Sequence, residues 1–92
     1  MQVRWLRGAL ANMDAAYDYL AAENSIAAFG FADEIKKAIE QLKEFPSSGR
    51  PGRVPSTREI VVNRYRFIIP YRVVGNELQI LRVFSNRQIS GS

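Results

Sequence analysis

Cysteine and histidine are both absent from the 92 residues of this chain. The first absence excludes disulfides and thiol chemistry, and the second removes the commonest zinc ligand and the commonest general base near neutral pH. No metal and no cofactor are therefore expected. Long apolar runs are missing too. None approaches the roughly 18 residues that would point to a membrane span, so no membrane partner is expected. Arg4, Arg7 and Asn12 interrupt the first residues, which removes the pattern of a secretory leader and makes the cytoplasm the expected compartment. Acidic residues are scarce in the second half. From Arg50 onward Glu59 and Glu77 alone stand against Arg50, Arg53, Arg58, Arg64, Arg66, Arg72, Arg82 and Arg87.

The formal charge is +4, and all three lysines, Lys36, Lys37 and Lys43, lie in the first half. The positive field of the second half is thus carried by arginine alone. A guanidinium offers a planar fork of donors suited to carboxylates and phosphates, so an acidic protein segment or a nucleic-acid backbone is the natural partner. A solvated basic sheet surface would have the same composition.

The length fits one domain, residues 1–92, of α+β class in the order β-α-α-β-β-β. Met1 to Leu6 alternates as a short strand. Leu6, Leu10, Met13, Tyr17 and Leu20 recur at helical spacing and predict a helix ending near Glu23. Asn24 is an N-cap for a second helix, in which Ala28, Ala32, Ile35, Ile39 and Leu42 repeat the spacing and Phe31, Ala38 and Phe45 widen the apolar face. Gly30 inside it marks either a close contact or a tolerated weak point. Pro46 stops the helix, and Ser47 to Ser56 is expected as an exposed loop. Three strands follow, Arg58 to Val62, Tyr65 to Val73 and Glu77 to Phe84, joined by two-residue turns at Asn63-Arg64 and Gly75-Asn76. That register puts Ile60, Val62, Tyr65, Phe67, Ile69, Tyr71, Leu78, Ile80 and Phe84 on the face that packs on the helices. It also sets Arg58 and Arg82 on either side of Ile69, an awkward place for charge unless the edge is open or an acidic group meets them. The architecture expected is a helical hairpin packed on an antiparallel sheet of about four strands.

The basic loop Phe45-Pro46-Ser47-Ser48-Gly49-Arg50-Pro51-Gly52-Arg53 joins the two halves, and Thr57-Arg58-Glu59-Ile60-Val61-Val62 and Tyr65-Arg66-Phe67-Ile68-Ile69-Pro70-Tyr71-Arg72-Val73 follow it. With Trp5 and Ile80-Leu81-Arg82-Val83, these segments resemble the RelE/ParE superfamily of small toxins from type II toxin–antitoxin pairs. The resemblance runs from Met1 to about Arg87. It implies one of two activities, ribosome-dependent mRNA cleavage of the RelE kind or inhibition of DNA gyrase of the ParE kind.

Aligned on Tyr65-Arg66, the basic residues that RelE-like nucleases carry on the preceding strand fall at Glu59 and Val61. Arg66 and Arg87 match basic positions, and would be the catalytic candidates of an RNase. Neither Tyr nor His follows Arg87. The resemblance is therefore closest to ParE-like toxins and implies an inhibitor rather than an enzyme. A detoxified module that keeps only antitoxin binding is a third possibility. Resemblance implies a cognate antitoxin, small and of ribbon-helix-helix type, that folds as it binds. Its expected contacts are Leu10, Met13, Tyr17, Phe67, Tyr71 and Arg72. Target-binding candidates are Arg50, Arg53, Arg58, Arg82 and Arg87, of which Arg58, Arg82 and Arg87 are expected to converge at one end of the sheet. Direct DNA binding is not expected without the antitoxin. Trp5 is assigned to packing, and Glu59 to an ion pair rather than to base catalysis.

Overall fold

The computed structural model describes residues 1–85. Alternation at the start gives β1 (Gln2–Trp5), and the two helical periodicities give α1 (Arg7–Glu23) and α2 (Ser25–Glu44). Asn24 separates them as expected, its Oδ1 accepting from the backbone N–H groups of Ile26 and Ala27 at 2.9 and 3.3 Å. These bonds satisfy donors that a helix start otherwise leaves open. Beyond Pro46 come β2 (Arg50–Pro51), β3 (Arg58–Val62), β4 (Phe67–Val74), β5 (Glu77–Ile80) and β6 (Phe84–Ser85).

The sheet runs β1-β5-β4-β3-β2, with β6 on β4. It is mixed, because β1 lies parallel to β5 while the other pairs are antiparallel. It also exceeds the four strands expected. Arg50 and Pro51 pair with Glu59 and Arg58, so the segment read as a plain loop contributes a short edge strand. Pro51 blunts that edge against further pairing.

Two details of register differ from the sequence-based expectation. Val62 pairs with Phe67, so the connection is Asn63–Arg66 rather than Asn63-Arg64. Faces are unchanged, since the shift is by an even number of residues. The Gly75-Asn76 turn is as expected, with Val74 opposite Glu77 and Gly75 at φ +60°.

The second difference is a bulge between β5 and β6. Ile80 opposes Tyr71, but Phe84 opposes Ile68, which leaves one extra residue on the later strand. Pro70 supplies the physical reason. Its carbonyl accepts from Leu81 N–H at 2.9 Å, while its nitrogen has no hydrogen to return the bond, so the ladder breaks there. Val83 consequently enters the core and Phe84 leaves the helix-facing side. Arg82 does not flank Ile69 from that face.

The core lies between the helices and one face of the sheet, where Phe31, Ile35 and Leu42 meet Ile69, Tyr71, Leu78 and Ile80. Full burial of such a side chain is worth about 1.5–3 kcal/mol. Phe31 is its aromatic centre, packed edge-on against Tyr65 at 5.8 Å and tilted against Phe67 at 4.7 Å. Phe45, expected to widen the apolar face, is instead exposed at the C-cap of α2. Gly30 marks a close contact, because a Cβ there would collide with the Tyr65 hydroxyl.

Gly30→Ala should therefore destabilise the fold despite the better helix propensity of alanine. In a Tyr65→Phe background the same change should become neutral or stabilising, with a coupling of at least about 1 kcal/mol in a urea-denaturation cycle. Additive effects would show that the Tyr65 hydroxyl does not set the constraint.

Candidate functional site

The loop after α2 is held from below by Tyr71. This side chain is wholly buried on β4, and its hydroxyl accepts from Gly49 N–H at 3.0 Å and donates to Pro46 O at 2.7 Å. A Cβ on Gly49 would lie 2.5 Å from that oxygen and 2.8 Å from Glu59 O, so only glycine lets the backbone lie this close. Arg58, on β3 directly opposite Tyr71, donates from Nη1 to Gly49 O at 2.7 Å. Arg50 pairs its Nε with Glu59 Oε1 at 3.1 Å, and the carboxylate side is only 8% exposed. Farther out, Gly52 N–H donates to Thr57 O at 2.8 Å and Thr57 Oγ1 to Val54 O at 2.6 Å.

Burial raises the Tyr71 phenol above its ordinary value of 10.0, partly offset by the Gly49 N–H bond and the Arg58 charge. The neutral phenol is the form that the fold favours.

Two clefts flank the sheet. An apolar one of about 390 Å³ lies between the helices and β1, lined by Val3, Trp5, Leu10, Met13, Ile35 and Ile39, with Asp14, Lys36, Glu40 and Lys43 also on its walls. Leu10 is 50% exposed there, an unusual state for the apolar stripe of an amphipathic helix. The second cleft, about 800 Å³, gathers Arg64, Arg66 and Arg82 with Asn12, Tyr19 and Tyr65. Arg64 sits 5.6 Å from the centre of the Tyr65 ring and Arg82 5.6 Å from that of Phe84. Asn12 Oδ1 accepts from Val83 N–H at 3.2 Å and fixes α1 to the bulge. Such a cleft suits an anion. Its described walls carry no carboxylate, and their ionisable groups are three guanidinia and the phenols of Tyr19 and Tyr65.

The residues predicted from sequence are dispersed. Leu10 and Met13 line the apolar cleft, and Tyr17 is half-buried on α1. Phe67 packs on Phe31 and borders the basic cleft. Tyr71 departs from the expectation of an exposed contact: it is wholly buried, and both its hydroxyl bonds are made inside the fold. Arg72 is on the face away from the helices, donating to Gln79 Oε1 at 2.7 Å. Arg58 and Arg82 do not converge: Arg58 lines a small recess with Pro46, Ser47 and Ser56, whereas Arg82 lines the basic cleft. Arg87 lies outside the described residues. Arg53 stands on the exposed loop tip. Sequence reasoning missed Arg64, Asn12 and the burial of Glu59. The only sequence signal for the first was its place beside Tyr65-Arg66.

Among the described residues no three acidic side chains gather where they could hold a metal ion, and no helix is long and apolar enough to cross a membrane. A family profile described as "ParE toxin of type II toxin-antitoxin system, parDE" matches residues 3–90. The chain is 38% identical over 87 residues to a protein named "Putative toxin Y4kP" from Sinorhizobium fredii, covering 95% of this chain and 90% of that one. It is 33% identical over 82 residues to "Toxin RelE2" of Caulobacter vibrioides, covering 89% and 91%. Among solved structures, "Chromosomal ParDE TA system from P. aeruginosa" matches with a TM-score of 0.81 at 33% identity, covering 92% of this chain and 95% of that one.

Arg58→Ala should cost about 1.5–3 kcal/mol in urea denaturation, the range for a hydrogen bond to a charged group. Arg82→Ala, exposed beside Phe84, should stay within about 0.5 kcal/mol of the parent. Equal effects would mean that Arg58 is not part of the scaffold.

The raised phenol also sets a pH dependence. Stability contributed by Tyr71 is fully present below 10.0 and is lost as pH rises through its folded value. Tyr71→Phe should flatten this alkaline loss, as followed by circular dichroism. An unchanged alkaline profile would place the responsible group elsewhere.

Proposed function

We propose that this chain, which belongs to the ParE toxin family of type II toxin–antitoxin systems, inhibits DNA gyrase and is neutralised by a cognate antitoxin. The observation that carries this reading is the match to the ParE family over residues 3–90, together with a likeness to a ParDE structure over 92% of the chain. The apolar cleft between the helices and β1 is the antitoxin site in this reading. An exposed Leu10 beside Met13, Ile35 and Ile39 suits the apolar face of an amphipathic helix that folds as it binds. The charges on its walls balance, Asp14 and Glu40 against Lys36 and Lys43, so the apolar contact rather than net charge carries this assignment. The antitoxin is small, acts in the cytoplasm and carries its own DNA-binding part, of ribbon-helix-helix type. The toxin makes no DNA contact of its own.

Supercoiling by purified gyrase is the test. The protein should inhibit it, and the small protein encoded beside it should restore activity on mixing and raise the melting temperature of the toxin. Full supercoiling at saturating toxin would remove gyrase as the target. Failure of the neighbour to bind would remove the antitoxin.

One observation favours a second reading. The cleft with Arg64, Arg66 and Arg82 suits a phosphate backbone, and one relative bears the name RelE2, so a RelE-like mRNA endoribonuclease is the alternative. Glu59, buried against Arg50 where such nucleases carry a cation, weighs against it. Primer extension on RNA from induced cells should show no codon-phased cuts. Cuts that vanish with Arg66→Ala would establish the nuclease instead.

A further inference from the structure

The loop of residues 46–58 spends its polar groups inward and leaves its tip uncommitted. Pro46 O, Gly49 N–H and Gly49 O are bound by Tyr71 and Arg58, and Arg50 is bound by Glu59. Gly52 and Val54 are tied to Thr57, and Ser56 is held at φ +69°. Beyond these ties stand Arg53, Val54 and Pro55, all exposed, with Val54 at 63%. Among the described residues Arg53 has no ion-pair partner. None of the loop lines the apolar helical cleft.

A solvated loop tip can be mobile at no cost to the fold. Here buried hydrogen bonds below and a closed turn above define its shape before any partner arrives. Preordering of this kind removes part of the entropy that binding otherwise costs, and an exposed apolar residue beside an unpaired guanidinium is a compact recognition element. We infer that Arg53 and Val54 form a preshaped contact for the toxin's target, fitting an acidic protein surface with an apolar recess, and that Tyr71 and Arg58 are its positioning residues. This rests on the toxin reading above. It assigns the antitoxin and the target to different surfaces of the domain.

Melting temperature, antitoxin affinity, potency and amide exchange test it on the intact chain. The tip variant Arg53→Ala with Val54→Ser should keep the parental melting temperature and the parental affinity for the antitoxin. It should lose at least about tenfold in potency, a readout that a purely structural role would leave unmoved. Tyr71→Phe keeps the ring in its slot and removes only the hydroxyl. It should speed amide exchange at Gly49 and Gly52, weaken potency in the same direction and leave antitoxin affinity unchanged. Potency is scored both as growth arrest on expression and as inhibition of purified gyrase. A tip variant that arrests growth as the parent does would overturn the inference, as would equal exchange at Gly49 in the parent and Tyr71→Phe. Weakened antitoxin binding in the tip variant would reassign the loop to the antitoxin. If growth arrest needs the tip while purified gyrase is never inhibited, the gyrase reading fails and the loop assignment stands.

Discussion

One buried hydroxyl joins the two halves of this molecule. Tyr71 sits at the centre of the sheet, in the row Trp5, Ile80, Tyr71 and Arg58 that crosses four strands. Its ring fills the core and its oxygen is bonded to the segment that leaves the second helix. A buried hydroxyl without partners would cost about 1–3 kcal/mol, comparable to what burying a large side chain contributes, so ring and loop are specified together. Gly49 is the counterpart of that constraint, because any side chain there would occupy the space of the phenol. The helical hairpin, the sheet and the basic loop therefore share one fixed point.

The same economy sorts the arginines. Arg58, Arg50 and Arg72 are committed to Gly49 O, Glu59 and Gln79. Arg64 and Arg82 lie beside aromatic rings in the basic cleft, which Arg66 also lines. Arg53, on the loop tip, faces water. A one-sided excess of positive charge thus resolves into scaffold, cleft and tip. Counting charges along the chain cannot separate these roles, since a guanidinium that satisfies a carbonyl and one that awaits a partner have the same composition. Coulombic steering acts through the sum of them, whereas specificity resides in the uncommitted ones.

Much of the fold was legible in the sequence because periodicity and capping are local. Asn24 caps where its side chain and position predict, and the face shared by Ile60, Val62, Phe67, Ile69 and Tyr71 follows from alternation alone. What was not legible depends on contacts distant along the chain. Pro70 inside a strand was the available sign of the bulge, but which partner would shift is decided by pairing. Tyr71 reads as one more inward aromatic, and nothing local shows that its hydroxyl is spent on Pro46 and Gly49. Leu10 was assigned both to the apolar stripe and to the partner surface, and it stands half-exposed in the helical cleft. The convergence expected of Arg58 and Arg82 failed because the bulge removes Arg82 from the helix-facing side.

In the proposed function, antitoxin and target take separate surfaces of one small domain. The most direct measurement is hydrogen–deuterium exchange of the toxin, free and saturated with its antitoxin, read peptide by peptide. The account predicts slowed exchange over residues 1–14 and 32–43, around the apolar cleft, with residues 46–58 unchanged. Protection of residues 46–58 by the antitoxin, with none around Leu10 and Ile35, would contradict it.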